Sequence, residues 1–255
     1  MRNKAYWERR ASKRMYGYMQ DAERTAADIA KAYEASMRYI SEEAEKVMRA
    51  FQGLTGVSEA EAQRLLSHAE GKKTIDQLKN MIARIADGDI RKSMLARINA
   101  PAYAARIGRL DTLQRDIDRQ CRMLYQTQLS VDTEHFRRLC GDAYLRTMYD
   151  MQRGTGLAFS FAQMPKSRIN EILRDPWSGE HYSKRIWGNV QDMGQQLKEE
   201  LLAGFMTGRS YDKTARAIAQ RFGVGMSEAR RLVRTDSCYI ANQAELESYR
   251  ECDIE

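Results

Sequence analysis

From Met15 to Phe51 the apolar or small residues fall at Met15, Met19, Ala22, Ala26, Ile29, Tyr33, Met37, Ile40, Ala44, Val47 and Phe51, a four-three spacing with one extra step of four. That is the heptad seam of a long helix carrying a single stutter. Joined to the flanking Ala5 to Arg14, it predicts a helix of about 45 residues, on the order of 65–70 Å at the helical rise. A rod of that length cannot be buried inside one compact domain of a 255-residue chain. It either pairs with another long helix of the same chain or reaches toward a partner.

Only three prolines, Pro101, Pro165 and Pro176, interrupt a sequence rich in Ala, Leu, Met, Arg, Lys, Glu and Gln, residues that lose little side-chain entropy in a helix. Gly53-Leu54-Thr55-Gly56 ends the first helix. Ser58-x-x-Glu61 and Thr74-x-x-Gln77 are capping boxes for two shorter helices, the first stopped by Gly71, and a further break is expected at Asp87-Gly88-Asp89. After Pro101 a second long helix sets Tyr103, Ile107, Leu110, Gln114, Ile117, Cys121 and Leu124 at heptad spacing, with the polar Gln114 inside the seam. It is a candidate partner for the first rod. Asp132 or Thr133 then caps a helix presenting Phe136, Cys140, Ala143, Thr147 and Met151 on one face.

The pattern breaks between Gly154 and Gly179. Gly154-Thr155-Gly156 precedes an alternating Leu157-Ala158-Phe159-Ser160-Phe161, read as a packed loop because no second strand run exists to pair with it. A short helix from Ser167 to Arg174 fits between Pro165 and Asp175-Pro176-Trp177-Ser178-Gly179. Three helices follow, Ser183 to Thr207, Tyr211 to Phe222 and Ser227 to Glu251, separated by Gly208-Arg209-Ser210 and Gly223-Val224-Gly225-Met226, with Ser210 and Ser227 as N-caps. The expected fold is all-α, with long N-terminal antiparallel helices in coiled-coil-like packing and a C-terminal helical module. The expected division is an elongated assembly region over 1–153, a linker with its short helix over 154–181, and the module over 182–255.

Charge narrows the function classes. The formal net charge is +7, concentrated where residues 1–14 carry six Lys/Arg against one acid and residues 209–234 carry seven against two. Basic patches attract polyphosphate through counterion release, which makes Arg9, Arg10, Lys13, Arg14, Arg216, Arg221, Arg230 and Arg231 the candidate nucleic-acid contacts. Apolar runs are only a few residues long, far short of the ~20 needed to cross a bilayer, and the N-terminus lacks the apolar core of a signal peptide. Action in the cytoplasm is expected. Cys121, Cys140, Cys238 and Cys252 include no Cys-x-x-Cys pair, so they read as free thiols, two on apolar helix faces, without a zinc site or disulfide scaffold.

Catalysis needs converging acids, bases, nucleophiles or ligands. His68, His135 and His181 lie in different segments and read as surface or partly packed side chains. No phosphate-cradling glycine loop and no H-E-x-x-H are present. The expectation is no enzyme, no cofactor and no metal. Two further features stand out. Lys213 to Arg234 has a reading as a helix-turn-helix, with Gly223 at the turn, Ala219, Ala229 and Leu232 as packing positions, and Ser227, Arg230, Arg231 and Arg234 facing DNA. Arg234-Thr235-Asp236 places poor helix formers inside a helix, which predicts a hydrogen-bonded cluster packed against Trp187 or the Gly208 turn.

Several of these pieces occur in a familiar order. Pro176-Trp177-Ser178-Gly179, Ser183-x-Arg185-Ile186-Trp187, Gly208-x-Ser210, the Ala215 to Phe222 helix, Arg231-Leu232-Val233-Arg234-Thr235-Asp236 and Asn242-Gln243-Ala244 resemble the Mu F-like family of phage head-morphogenesis or minor capsid proteins. Tyr6-Trp7-Glu8-Arg9-Arg10, leading into a long charged helix, looks like the start of the same proteins in phages of Gram-positive bacteria. The resemblance covers the last ~80 residues well and the middle only by helical character. Its motif residues here are Trp177, Arg185, Trp187, Gly208, Ser210, Arg234, Thr235, Asp236 and Asn242. Members usually read Arg-Thr-Glu where this chain has Arg234-Thr235-Asp236, which keeps the charge on a shorter arm. Members also commonly continue into a β-containing segment with a Cys-x-x-Cys element, whereas here Cys252-Asp253-Ile254-Glu255 follows, the reading for a short or truncated member.

The resemblance implies a structural protein present in few copies inside the phage head and in the host cytoplasm during assembly. Its implied partners are the portal protein, the major capsid or scaffolding protein, and non-specific double-stranded DNA. The heptad seam of the long N-terminal helix separately allows self-association, since one chain or two can satisfy it. Some members carry toxin domains fused downstream. The alternative from a different class is a helix-turn-helix DNA-binding regulator.

Overall fold

A computed structural model describes residues 3–51, 101–158 and 162–252, with scattered positions between 79 and 95. The turn expected at 53–56, both capping boxes near 58–77 and the Phe159 to Phe161 run lie outside the described residues. Gly88 and Asp89, expected in a break, are helical. Among the described residues there are helices and no strands: α1 Lys4–Phe51, α2 Pro101–Thr155, α3 Lys166–Arg174, α4 Tyr182–Thr207 and α5 Tyr211–Glu251. The all-α expectation holds. No helix of the described residues is long and apolar enough to cross a membrane.

The seam of α1 is buried much as its spacing dictates, at Ala22, Ala26, Ile29, Tyr33, Ile40, Ala44 and Val47, while Tyr18 and Ser36 replace Met19 and Met37 as the fully packed positions. On α2 the buried row is Leu110, Leu113, Ile117, Cys121 and Leu124, so Leu113 occupies the place expected for Gln114, which is half-exposed.

Two expected boundaries do not exist. Residues 125–133 are uninterrupted helix, so α2 runs through both helices expected there. Asp132 is not a cap but a fully buried residue bonded to Gln128, and Thr133 bonds the hydroxyl of Tyr182 at 2.9 Å. The second is Gly223 to Met226, which is helical, so α5 is one helix of 41 residues and Ser227 sits in its interior. The turn that a helix-turn-helix requires is absent from α5.

The described chain forms two compact units, 1–32 with 125–189 and 226–255, and 33–124 with 190–225. Segments of α1, α2, α4 and α5 contribute to each. In the first unit α1 and α2 are antiparallel, with Trp7 lying on Gly154 and Arg14 paired with Asp150. A Cβ on Gly154 would stand 2.0 Å from the Trp7 ring, so the glycine expected to break the helix is instead the flat seat for an indole. Gly156, with φ 75°, makes the actual exit. In this unit α5 runs parallel to α2, through His135 with Ser237 and Ser248 with the Tyr144 carbonyl.

In the second unit α1 and α2 meet through the Ser36 hydroxyl and Gln120 at 2.9 Å. Here the helices approach over glycines. A Cβ on Gly194 would lie 2.6 Å from Cys121 Sγ, and one on Gly225 would lie 2.7 Å from Met193 Sδ and 2.9 Å from the Tyr33 ring. Gly225 therefore serves close helix packing, not a turn. Gly208, at φ 64°, does make the expected turn, with the Arg209 N–H donating to the Gly204 carbonyl at 3.0 Å as in a Schellman cap.

Candidate functional site

The site begins where α3 stops. Pro176 cannot continue a helix, the Gly179 N–H closes a turn on the Pro176 carbonyl at 2.8 Å, and Gly179 takes φ 96°. His181 then starts α4, its Nδ1 accepting the Ser183 N–H at 3.2 Å, in the role of an N-cap. This turn presents Trp177 to α5. The indole stacks on Tyr239 at 4.7 Å and 9°, and its Nε1–H donates to Asp236 Oδ1 at 2.9 Å. Arg185, one turn into α4, donates Nη2–H to the same oxygen at 2.6 Å, with its guanidinium 6.0 Å from the Trp177 ring centroid. The Tyr239 hydroxyl donates to Asp175, and burial together with that carboxylate pushes the phenol up to about 12.

Asp236 is 2% exposed. A carboxylate so buried is tolerable only when paired and hydrogen-bonded, and the two donors on Oδ1 provide that. This explains the poor helix formers inside α5. Thr235 returns its hydroxyl to the Arg231 carbonyl at 2.7 Å, and Asp236 anchors the turn before α4. The cluster was expected against Trp187 or the Gly208 turn. Its indole is Trp177 instead, while Trp187 packs edge-on to Tyr125 at 5.2 Å.

Three motif residues, Trp177, Arg185 and Asp236, thus converge from separate segments. Arg234 points outward and shares Glu23 with Arg230, Asn242 makes only a 3.9 Å contact to Cys238 Sγ, and Gly208 and Ser210 form the α4 to α5 connection in the other unit. Tyr239, Asp175 and His181 were missed. Tyr239 lies three residues after Asp236, hence on the same helix face, and that spacing was legible.

A second buried cluster lies in the same unit. His135, expected at or near the surface, is 2% exposed, and its Nε2 bonds Ser237 Oγ at 2.8 Å. Burial pushes its imidazole down to about 4, with Arg138 adding to the fall. The pair has the composition of a serine nucleophile and base, but Ser237 is fully buried in mid-helix, where neighbouring backbone N–H groups are already used by the helix. It joins α2 to α5 and offers no substrate access. An open groove of about 460 Å³ on α2, lined by Gln126, Leu129, Ser130, Thr133, Glu134 and Arg137, holds no such pair. Among the described residues no group of three or more His, Cys, Asp or Glu side chains is placed to hold a metal.

The basic candidates divide sharply. Arg10 and Arg14 both pair with Asp150, and Arg14 also with Glu245 at 3.1 Å. Arg221 reaches Glu200, Arg230 reaches Glu23 at 2.8 Å and Arg231 reaches Glu228. Arg9, Lys13 and Arg216 are exposed with no ion-pair partner among the described residues. Of the cysteines, Cys121 and Cys140 are buried, with thiols pushed up to about 11 and 12 by burial.

No family model matches the chain, and no solved structure matches it. A curated relative, the NAD(+)--arginine ADP-ribosyltransferase EFV of Enterococcus faecalis (strain ATCC 700802 / V583), is 23% identical over 94 residues. The match takes in 37% of this chain and 19% of the relative, so the chain is similar to about a fifth of that protein's length.

Proposed function

We propose that the protein is a phage minor head protein, acting inside the capsid in head morphogenesis, associated with the portal vertex and packaged DNA. The observation that carries this reading is the convergence of Trp177, Arg185 and Asp236, which lie in three separate pieces of the motif order and meet on one carboxylate oxygen. A motif order kept because its residues form one junction is a stronger resemblance than the same residues scattered over a surface. The Enterococcus relative fits the same reading. Head-morphogenesis proteins of this type include members with toxin domains fused downstream, and a match to 19% of the relative leaves most of that protein free to carry its transferase activity.

The surface supports weak, sequence-independent contact with DNA through Arg9, Lys13 and Arg216, with no turn in α5 to present a recognition helix. The test is quantitative mass spectrometry of purified phage heads, scaling this protein to the portal protein. A few to a few dozen copies per head is the expected result, and absence from particles while the protein is abundant in infected cells overturns the assignment.

One observation favours a second reading, transfer of ADP-ribose from NAD to arginine, namely the relative's name. Incubating the purified chain with labelled NAD and an arginine acceptor decides it. Incorporation of label would establish the enzyme and remove the purely structural reading.

A further inference from the structure

The buried polar centre of the first unit contains a carboxyl with too few donors. Asp132 on α2 is fully buried, its Oδ2 accepts one long bond from the Gln128 amide at 3.3 Å, and its Oδ1 has no hydrogen-bond partner among the described residues. On α5, joined to this stretch of α2 by the His135–Ser237 bond, Asp236 takes both its donors on Oδ1, and its buried Oδ2 has no partner among the described residues. The groups around Asp132 come from each neighbouring element. Gln128 lies on its own helix, Asp236 on α5, and the Tyr182 phenol on α4, with Arg185 and His181 of α4 acting on Asp236. The cation, Arg185, bonds to Asp236 and not to Asp132. His135, three residues beyond Asp132 on α2, bonds Ser237, the residue after Asp236, with Arg138 and Asp21 of α1 acting on it.

An ionised carboxylate at Asp132 would stand in the core with one amide donor and the charge of Asp236 acting on it from α5, an arrangement that burial and like charge both disfavour. A neutral carboxylic acid has a hydrogen to donate and removes the repulsion. We propose that Asp132 is carried as the protonated acid in the folded protein and that losing this proton is a release for Trp177: the new charge opens the α2 to α5 core beside Asp236, and the indole bond to Asp236 is given up. Consistent with that geometry, burial, with Asp236 adding to it, pushes the Asp132 carboxyl up to about 8. The device would make the turn before α4, and the aromatic stack it carries, sensitive to mildly alkaline conditions.

The sign follows from proton linkage. The unfolded chain gives up this proton at the ordinary aspartate value of about 4, whereas the folded chain keeps it to about 8. Stability is therefore lost progressively as pH rises through that window. Relative to D132N, which is neutral at every pH, the unfolding constant of the natural chain should grow about tenfold per pH unit between about 5 and 7.5.

The experiment is NMR on the full chain across pH 4 to 9, following the Asp132 carboxyl carbon and the three tryptophan indole N–H signals, with W177F used only for assignment. The expected result is an Asp132 midpoint near 8, a Trp177 indole signal that shifts or broadens with the same midpoint, and loss of that movement in D132N. An Asp132 midpoint near 4 overturns the proposal. So does a Trp177 signal that is unmoved between pH 6 and 9, or one that moves equally in D132N. If D132N does not fold, the two midpoints of the natural chain still decide, because the proposal requires them to coincide.

Discussion

The two units draw on the same helices and hold them together differently. Of the described buried polar residues, nine lie in the unit of residues 1–32, 125–189 and 226–255, among them Asp132, His135, Asp150, Asp236 and Ser237; three, Ser36, Asp116 and Thr214, lie in the other. The second unit instead brings helices together over Gly194, Gly204 and Gly225, against Cys121, Thr214, Met193 and Tyr33. Apolar contact is tolerant of detail, while a buried charge pair is satisfied in one geometry only. The converging motif residues, Trp177, Arg185 and Asp236, therefore lie in the unit whose structure depends on direction, where a single lost partner strands a charge, while Gly208 and Ser210 lie in the other.

The largest effect should come from Asp150. It is 4% exposed and accepts from both Arg10 and Arg14, the latter with a side chain only 9% exposed, so D150A leaves buried Arg14 with Glu245 alone and Arg10 without its acid. Breaking a buried pair from one side typically costs about 3–5 kcal/mol, to be read from urea unfolding followed by circular dichroism. The matched control in the other unit is D118A, which removes the partner of Lys198 where the Asp118 side chain is 48% exposed, and which should change stability by about 1 kcal/mol or less. Equal losses would erase the contrast between the units.

How far the sequence could be read follows the same division. Periodicity located α1, α3, α4 and the Gly208 turn, because apolar spacing and a left-handed glycine are local signals. It failed at 125–133 and 223–226, where Asp132, Thr133, Gly223 and Gly225 imitate caps and turns. In the folded chain Thr133 and Gly225 answer to partners far along the sequence, Tyr182 and Tyr33. The odd triplet Arg234-Thr235-Asp236 was readable as a cluster, but its aromatic partner was not, since nothing local distinguishes Trp177 from Trp187. The ion pairs inside the basic patches were unreadable for the same reason. The acids that occupy Arg10 and Arg14, Asp150 and Glu245, are more than 130 residues away.

Acid should expose the polar unit next. His135 is neutral when folded, with its imidazole at about 4, and takes a proton near 6.5 when unfolded. Its contribution is fully present above about 6.5 and disappears as pH falls to about 4, a loss on the order of 3 kcal/mol. Between those values it opposes the trend from Asp132, so the natural chain should be nearly flat there, and D132N should show stability rising with pH. Adding H135N to the D132N chain should abolish that rise, and a double variant that keeps it would remove His135 from the account.

In the other unit the close-packed glycines give the test. G225A should destabilise, since overpacking costs about 1–3 kcal/mol and the Tyr33 ring, 1% exposed, has little room to yield. G223A, two residues away, meets nothing within 4 Å and should gain up to ~1 kcal/mol from helix propensity. Opposite signs are what a continuous α5 requires. Two losses would restore a turn at 223–226 and with it the regulator reading.

The smallest stability effect should come from Glu23, whose loss also tests for DNA contact. Its carboxylate is held below the ordinary range by the hydrogen bond from Arg230 and then by Arg234, yet those arginine side chains are 59% and 49% exposed. Exposed pairs contribute little, so E23Q should lose less than about 1 kcal/mol. The substitution frees two guanidiniums, on adjacent turns of α5, while leaving Asp150 and Asp236 intact. If this face meets packaged DNA, E23Q should bind random-sequence duplex more tightly at low salt, and the salt dependence should steepen by about 0.9 per phosphate newly contacted. Unchanged affinity with unchanged stability would mean that Arg230 and Arg234 do not face DNA, leaving Arg9, Lys13 and Arg216 as the cations to test.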